Sequence, residues 1–352
     1  MSAISRSSTR KKFTTCLIFL TLLQLILWFG PKTHPMLNSA MSALALSSYD
    51  SEFASLDMLM QKRKSSLQSS CKTLTKAKQY QDADMKGVLV LPNKNLLYCP
   101  VFKAGTSHWS PLIVKLSERD ISKKKFEYIF QAVKYVTGKV NGSIPTKYTS
   151  ADAASFIVVR HPFERIVAAF RDRLERTHPN DYYYRQYGKV IVRRFRKQAI
   201  RVLGEQYFSK HNNYGAPIAP VTVHPQKRHK PVLPVFWEFI QYLLHGGYMK
   251  DEHWKPISMM CPLCGIPYNY IFKLESMTKE EPIFLKRFGW DKMLDSRVKH
   301  HQNRKNGISS TEITKLYFRD IPDRDILKLY KLYMNDFILL DYTFSRGGIK
   351  LP

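Results

Sequence analysis

The chain has 352 residues, with 56 Lys and Arg against 28 Asp and Glu, a formal charge of +28. Its 44% hydrophobic and 13% aromatic content is enough to bury a large core, which excludes a disordered basic tail. The charge calls for an anionic partner: nucleic acid, anionic lipid or an acidic glycan.

The N-terminus narrows that choice. Arg6, Arg10, Lys11 and Lys12 precede an uncharged apolar stretch over residues 13–30. At ~1.5 Å per residue this stretch spans roughly 27 Å, the thickness of an early-secretory bilayer. Residues 1–12 are then a cytoplasmic tail, residues 13–30 a transmembrane signal-anchor, and the remainder lumenal. A cleaved signal peptide is the rival, but its apolar core is usually about 7–15 residues with a cleavage site close behind. The nearest small-residue site, Ala43-Leu44-Ala45, lies well past Trp28. A membrane-anchored, lumenal protein sets nucleic acid aside as the partner. Asn141-Gly142-Ser143 is then a usable glycosylation sequon. Lumenal Cys71, Cys99, Cys261 and Cys264 are free to form disulfides, in any of three pairings. Cys261-Pro262-Leu263-Cys264 also has zinc-knuckle spacing, but no second pair accompanies it, so disulfide bonding is the stronger reading and no metal is expected.

Residues 31–87, rich in Ser, Lys and Gln, read as a stem with a helix near 50–64. The catalytic part is expected over residues 88–352. Residues 95–101 read as a strand, 102–108 as a loop, and 109–116 as a helix with Pro111 in its first turn. A helix over 126–136 follows, then a strand over 156–160 and helices over 162–176 and 182–203. Residues 222–234 read as a basic loop, 235–244 as a helix, 270–274 as a short strand, 283–288 as a helix and 323–340 as a long amphipathic helix. Strands alternating with helices predict an α/β fold, a parallel sheet flanked by helices.

Two strand–loop–helix junctions carry the chemistry. In CPVFKAGTSHW, residues 99–109, Lys103 brings a point charge, and Gly105, Thr106 and Ser107 allow backbone N–H groups and hydroxyls to cradle an oxyanion. The lysine precedes the glycine, so this is not the nucleoside-triphosphate P-loop, and magnesium is not implied. In FIVVRHPFERIVAAFRDRLE, residues 156–175, a buried strand delivers Arg160 to the mouth of a helix opened by Pro162. Two separated anion sites suggest a ligand with two phosphate-like groups.

In this order and with these flanks, the junctions resemble the donor signatures of the Golgi carbohydrate sulfotransferases related to chondroitin 4-O-sulfotransferase and the HNK-1 sulfotransferase. Residues 102–109 are similar to P-K-[VA]-x-[CS]-T-N-W, and residues 159–171 to V-R-[DE]-P-F-E-R-L-[VL]-S-A-[FY]-R. HWKPISMMCPLCGIPYNYIFKLE, residues 253–275, resembles a third block of that family, and LYKLYMNDFILLDYTF, residues 329–344, resembles its ending. The resemblance covers about residues 90–345. It implies a sulfotransferase fold with a P-loop-like sheet, the donor PAPS (3′-phosphoadenosine 5′-phosphosulfate), a glycan hydroxyl as acceptor, and a Golgi location.

Carried over by residue, the resemblance assigns Phe102, Lys103, Ala104, Gly105, Thr106, Ser107 and His108 to the 5′-phosphosulfate. It assigns Arg160, His161, Pro162, Phe163, Glu164, Arg165, Ile166, Val167 and Ala168 to the 3′-phosphate. Lys103 is the expected charge on the leaving side and His253 the expected base. A structural histidine beside Trp254 is the alternative for His253. Three positions depart from the family pattern: Ala168 stands where it has serine, His161 where it has an acidic residue, and His108 where it has asparagine. The lost hydroxyl at Ala168 also fits an alternative, a catalytically weak relative that holds acidic glycans. Lys189, Arg193, Arg194, Arg196, Lys197 and Arg201, with residues 226–230, are candidates for binding such a glycan.

Overall fold

Leu96–Cys99 and Ala154–Val159 are buried at every position, the pattern of strands covered on both faces. In the computed structural model they pair side by side and parallel, as β2 and β4 of a five-stranded sheet. The structure describes residues 35–78, 80–140, 142–175, 181–210, 232–293, 308–346 and 349–351.

The sheet runs β3 (Gly138–Lys139), β1 (Leu89–Leu91), β2, β4, β5 (Tyr270–Lys273). β4 also pairs in parallel with β5, but β1 is antiparallel to both β2 and β3. The expected all-parallel sheet is therefore a parallel core with an antiparallel edge. The cause is local: β1 and β2 are joined by one short turn, Pro92–Lys94 closed by Asn95 at φ 44°, and a connection that short permits only a hairpin. A separate two-stranded ribbon, β6 (Phe344–Arg346) with β7 (Ile349–Leu351), lies near the C-terminus.

Helices follow each parallel strand: α2 (Thr106–Leu116) after β2, α4 (Pro162–Arg173) after β4, and α8 (Met277–Arg287) after β5. Trp109, Phe156 and Phe284 pack between them, with Trp109 4.7 Å and Phe284 5.6 Å from the Phe156 ring. On α4, Phe163 stacks on Phe318 at 4.8 Å and Phe170 on Phe239 at 5.5 Å. These contacts bring in α7 (Phe236–Leu244) and α9 (Ser310–Phe318); α10 (Asp323–Leu339) adds Phe337. The remaining helices are α1 (Pro35–Lys76), α3 (Ile129–Val136), α5 (Lys189–Leu203, preceded by a wider turn at Tyr184–Gly188) and α6 (Glu205–Lys210).

The chain divides at Ser55 into two units. The first is described only as the helical stretch from Pro35. From Leu56 onward the residues form one compact unit, and Leu56, Met60, Leu67 and Leu74 of α1 are buried in its core. The helix expected near 50–64 is thus longer, and its second half packs as part of the core. Arg63 anchors it, donating to both carboxylate oxygens of Glu280 at 2.6 and 2.8 Å. Disulfides settle the cysteine pairing: Cys71–Cys264 and Cys99–Cys261. The two cysteines with zinc-knuckle spacing therefore go to different partners, one binding α1 and the other the end of β2. α8 begins at Met277, six residues before the expected start, with Pro282 inside it. Burial of Met277, Phe284 and Leu285 on one face holds this helix despite the missing N–H.

Among the described residues no helix is long and apolar enough to cross a membrane. The expected span over 13–30, Asn141 and the basic loop at 226–230 lie outside the described residues.

Candidate active site

β2 and β4 end side by side, and their loops open onto the same edge of the sheet, where open α/β sheets gather their ligands. The β2–α2 loop carries Lys103 at φ 68° and Gly105 at φ 90°. A left-handed lysine is costly, and such backbone strain collects at functional sites. The Thr106 hydroxyl donates to the Val101 carbonyl at 2.8 Å and closes the loop, while Ala104 is fully buried beneath it. The N–H groups of His108 and Trp109 both turn back to the Gly105 carbonyl, so those of Thr106 and Ser107 face the helix mouth. Ser107 is exposed there. His108 points elsewhere, its Nε2 2.5 Å from a carboxylate oxygen of buried Glu281.

Arg160, only 6% exposed, joins the two loops: Nη1 donates to the Lys103 carbonyl at 3.1 Å and Nη2 to the Ser310 hydroxyl of α9. Its Nε lies 3.7 Å from Glu164, whose carboxylate also accepts from Thr311 at 2.7 Å. The His161 N–H donates to Glu275 at 2.7 Å, and the ring Nε2–H donates to the Thr343 carbonyl at 3.0 Å. Two carboxylates thus already sit at the first turn of α4. The cation at this junction is the Arg160 guanidinium.

The other residues of this stretch divide by role. Pro162, Phe163, Ile166 and Val167 are buried, the last three in the apolar core, and support the turn from beneath. Arg165 is fully buried and its fork is committed: Nε donates to the Phe102 carbonyl at 2.9 Å, Nη1 to that of Lys255 at 2.7 Å and Nη2 to that of Glu252 at 2.7 Å. It clamps the β2–α2 loop to the segment that bears His253. Ala168 is half-buried, the first position after Pro162 on α4 that is not fully covered.

His253 comes to the same place as Lys103. Its ring lies 4.7 Å from that of Phe102. The segment is fixed from α10: Asp336 accepts from the N–H groups of Ile257 and Ser258 at 2.7 and 2.8 Å, and Tyr333 donates to the Trp254 carbonyl. Asp251 accepts from the His253 backbone N–H at 2.9 Å and faces ring Nδ1 at 2.7 Å. Arg173 Nη2 stands 2.8 Å from Nε2. Arginine can only donate, so Nε2 is the acceptor and Nδ1 carries the proton toward Asp251. Burial pushes the imidazole below its usual pKa; Asp251 opposes this, while Arg173 and Lys103 reinforce it. Nε2 is thus the ring nitrogen that carries a free lone pair toward Arg173. Lys103 is likewise pushed down by burial, with Asp172 at 2.7 Å countering.

The chain matches a family model described as the sulfotransferase family over residues 86–343. It belongs to that family. At 27% identity it is similar to human carbohydrate sulfotransferase 9 over 304 residues, covering 84% of this chain and 62% of the relative. It is also similar to mouse carbohydrate sulfotransferase 8 at 27%, covering 84% and 66%. Rat carbohydrate sulfotransferase 11 is 24% identical, covering 83% of this chain and 78% of that protein. The chain thus spans less than two thirds of the length of the first two. No solved structure matches it.

Sequence reading missed Asp251, Arg173 as a partner of His253, and Ser310 as a partner of Arg160. For Ser310 a signal was present: Ser309 and Glu312 form a capping box that starts α9. Asp251 sits two residues before His253, a spacing at which a carboxylate reaches a ring nitrogen. Nothing in the sequence brings Arg173 to His253.

Proposed function

We propose that the protein transfers a sulfuryl group from PAPS to a hydroxyl of a glycan, a chondroitin/dermatan-type glycosaminoglycan, in the Golgi lumen. The observation that carries this reading is the convergence of Lys103, Arg160 and His253 at neighbouring strand ends, with the Phe102 ring 4.7 Å from His253. The donor set fits a ligand with two anionic groups: an ammonium and two helix N–H groups on one side, a guanidinium on the other. Lys103 with the N–H groups of Thr106 and Ser107 would hold the 5′-phosphosulfate, and Arg160 the 3′-phosphate. When bound, PAPS supplies an activated sulfuryl group with PAP (3′-phosphoadenosine 5′-phosphate) as leaving group.

His253 Nε2 accepts the proton as the acceptor hydroxyl oxygen bonds to sulfur. The bond from sulfur to the bridging phosphate oxygen breaks, and Lys103 stabilises the negative charge left there. Asp251 holds the imidazole in the required tautomer. For the acceptor, Arg185, Lys189, Arg193, Arg194, Lys197 and Arg201 are exposed on and beside α5, and that segment begins near Tyr183, whose hydroxyl is 3.1 Å from His253. Arg196 is not part of this face, because it clamps Glu238 at 2.6 Å.

The test is the purified protein with PAPS and a panel of desulfated glycans, followed by disaccharide analysis of the product. Lys103→Ala abolishes transfer; near-normal activity in that variant sinks the assignment. Glycan binding without transfer to any acceptor would instead establish the competing reading, a catalytically weak glycan-binding relative, which the alanine at position 168 favours.

A further inference from the structure

We propose that Asp172 and Arg173 form a positioning pair that links the anion-binding lysine to the basic nitrogen of His253, so that an oxyanion seated on Lys103 uncovers that nitrogen. This inference rests on the sulfotransferase reading of the site. Its ground is an unbroken line of contacts. Asp251 Oδ1 lies 2.7 Å from His253 Nδ1, and Arg173 Nη2 lies 2.8 Å from Nε2 of the same ring. Arg173 Nε is 3.0 Å from Asp172 Oδ2, and that same oxygen is 2.7 Å from Lys103 Nζ. One carboxylate oxygen thus serves two cations, one from each side of the site.

The chemistry of the line gives it direction. While Arg173 donates to Nε2, the lone pair there is engaged and cannot take a proton from a hydroxyl. Asp172 Oδ2 marks a point that accepts a hydrogen bond from the Lys103 ammonium and stands in ion-pair contact with the Arg173 guanidinium, whose Nε–H is not aimed at it. A phosphosulfate oxygen at that point lies against both cations, and the phosphosulfate as a whole carries two negative charges against the carboxylate's one. The Asp172 side chain is 44% exposed, so its ion pairs are weak and readily exchanged. Displacing Asp172 draws Arg173 toward the new anion and off Nε2. Binding of one ligand thereby prepares the base for the other.

The charged and titratable groups facing the His253 ring are Asp251 on its own segment, Arg173 and behind it Asp172 from α4, Lys103 from the β2–α2 loop, and the Tyr183 hydroxyl ahead of α5. The Tyr187 hydroxyl, within reach of the Lys250 carbonyl at 3.1 Å, also lies 3.3 Å from the other Asp251 oxygen. Of these, Arg173 and Lys103 hold the imidazole pKa down, beside the larger effect of burial, and Asp251 pulls it up.

The experiment uses PAP as probe in calorimetry, with pH profiles of kcat/KM alongside. Asp172→Asn keeps the shape and removes the competing charge, so PAP binds about three- to tenfold tighter. Arg173→Met removes a positive charge and a donor from Nε2, so the acidic limb of kcat/KM moves to higher pH. Arg173→Lys retains the charge and restores the limb toward its original position, which a merely structural role would not do. Unchanged or weaker PAP binding in Asp172→Asn overturns the coupling, as does a wild-type acidic limb in Arg173→Met. Failure of the wild-type protein to bind PAP refutes the sulfotransferase reading itself, and the coupling with it.

Discussion

Replacing Arg165 with lysine keeps the charge but dismantles the fork. The guanidinium is fully buried and donates to three carbonyls, those of Phe102, Glu252 and Lys255, at 2.9, 2.7 and 2.7 Å. A hydrogen bond from a charged donor contributes about 1.5–3 kcal/mol. A lysine ammonium at the end of a flexible stem reaches one of these carbonyls well and leaves two buried without a partner. The expected loss is therefore about 3–6 kcal/mol, set against a typical domain stability of about 5–15 kcal/mol. Urea unfolding followed by tryptophan fluorescence, with disulfides oxidised, reads this as a lower midpoint at unchanged slope. PAP calorimetry on the folded fraction runs in parallel. If Arg165→Lys keeps its midpoint within about 1 kcal/mol of stability while PAP affinity collapses, the residue is a ligand contact and the clamp argument fails.

Ala168→Ser adds a hydroxyl on the half-buried face of α4, and a bond from it to a phosphate tightens PAP by roughly ten- to a hundredfold; an unchanged calorimetric constant places the 3′-phosphate elsewhere. Because burial depresses the His253 pKa, kcat/KM holds its plateau below the ordinary histidine value and falls only as pH drops through the depressed one. An acidic limb above the ordinary value contradicts that assignment. Asp251→Asn removes the carboxylate that raises the imidazole pKa, so its limb lies at still lower pH with a reduced plateau. Replacing Cys99 and Cys261 together by alanine opens a link between positions 162 residues apart and costs about 2–5 kcal/mol. A double variant that melts with the wild type speaks against that pairing.

Much of this was legible because it is written locally. A run of buried apolar residues ending in Arg160, followed by Pro162 and an apolar period of 3.6, specifies a strand, a turn and a helix without reference to the rest of the chain. The same holds for the turn at Lys103–Gly105. The antiparallel edge escaped because β1 and β3 have three and two residues, too few for any period to register. α1 read as a stem because its second half exposes most of its surface, and its fully buried positions are few: Leu56, Met60, Leu67 and Leu74.

The sequence by itself determined the family and the two strand–turn–helix junctions, since backbone geometry, glycine placement and charge there depend on near neighbours. The division of labour within those turns was decided only by the tertiary structure. Arg160 and Arg165 are five residues apart on the same motif, yet one lies at the junction of the two loops and the other is consumed by distant carbonyls. His108 and His161 sit in the right loops but turn to Glu281 and Thr343, while His253, far along the chain, arrives beside Phe102. Which partners a side chain meets depends on how separate elements pack. A charge next to that loop in sequence can therefore be a clamp, and a histidine 150 residues beyond Lys103 can come to stand against the loop.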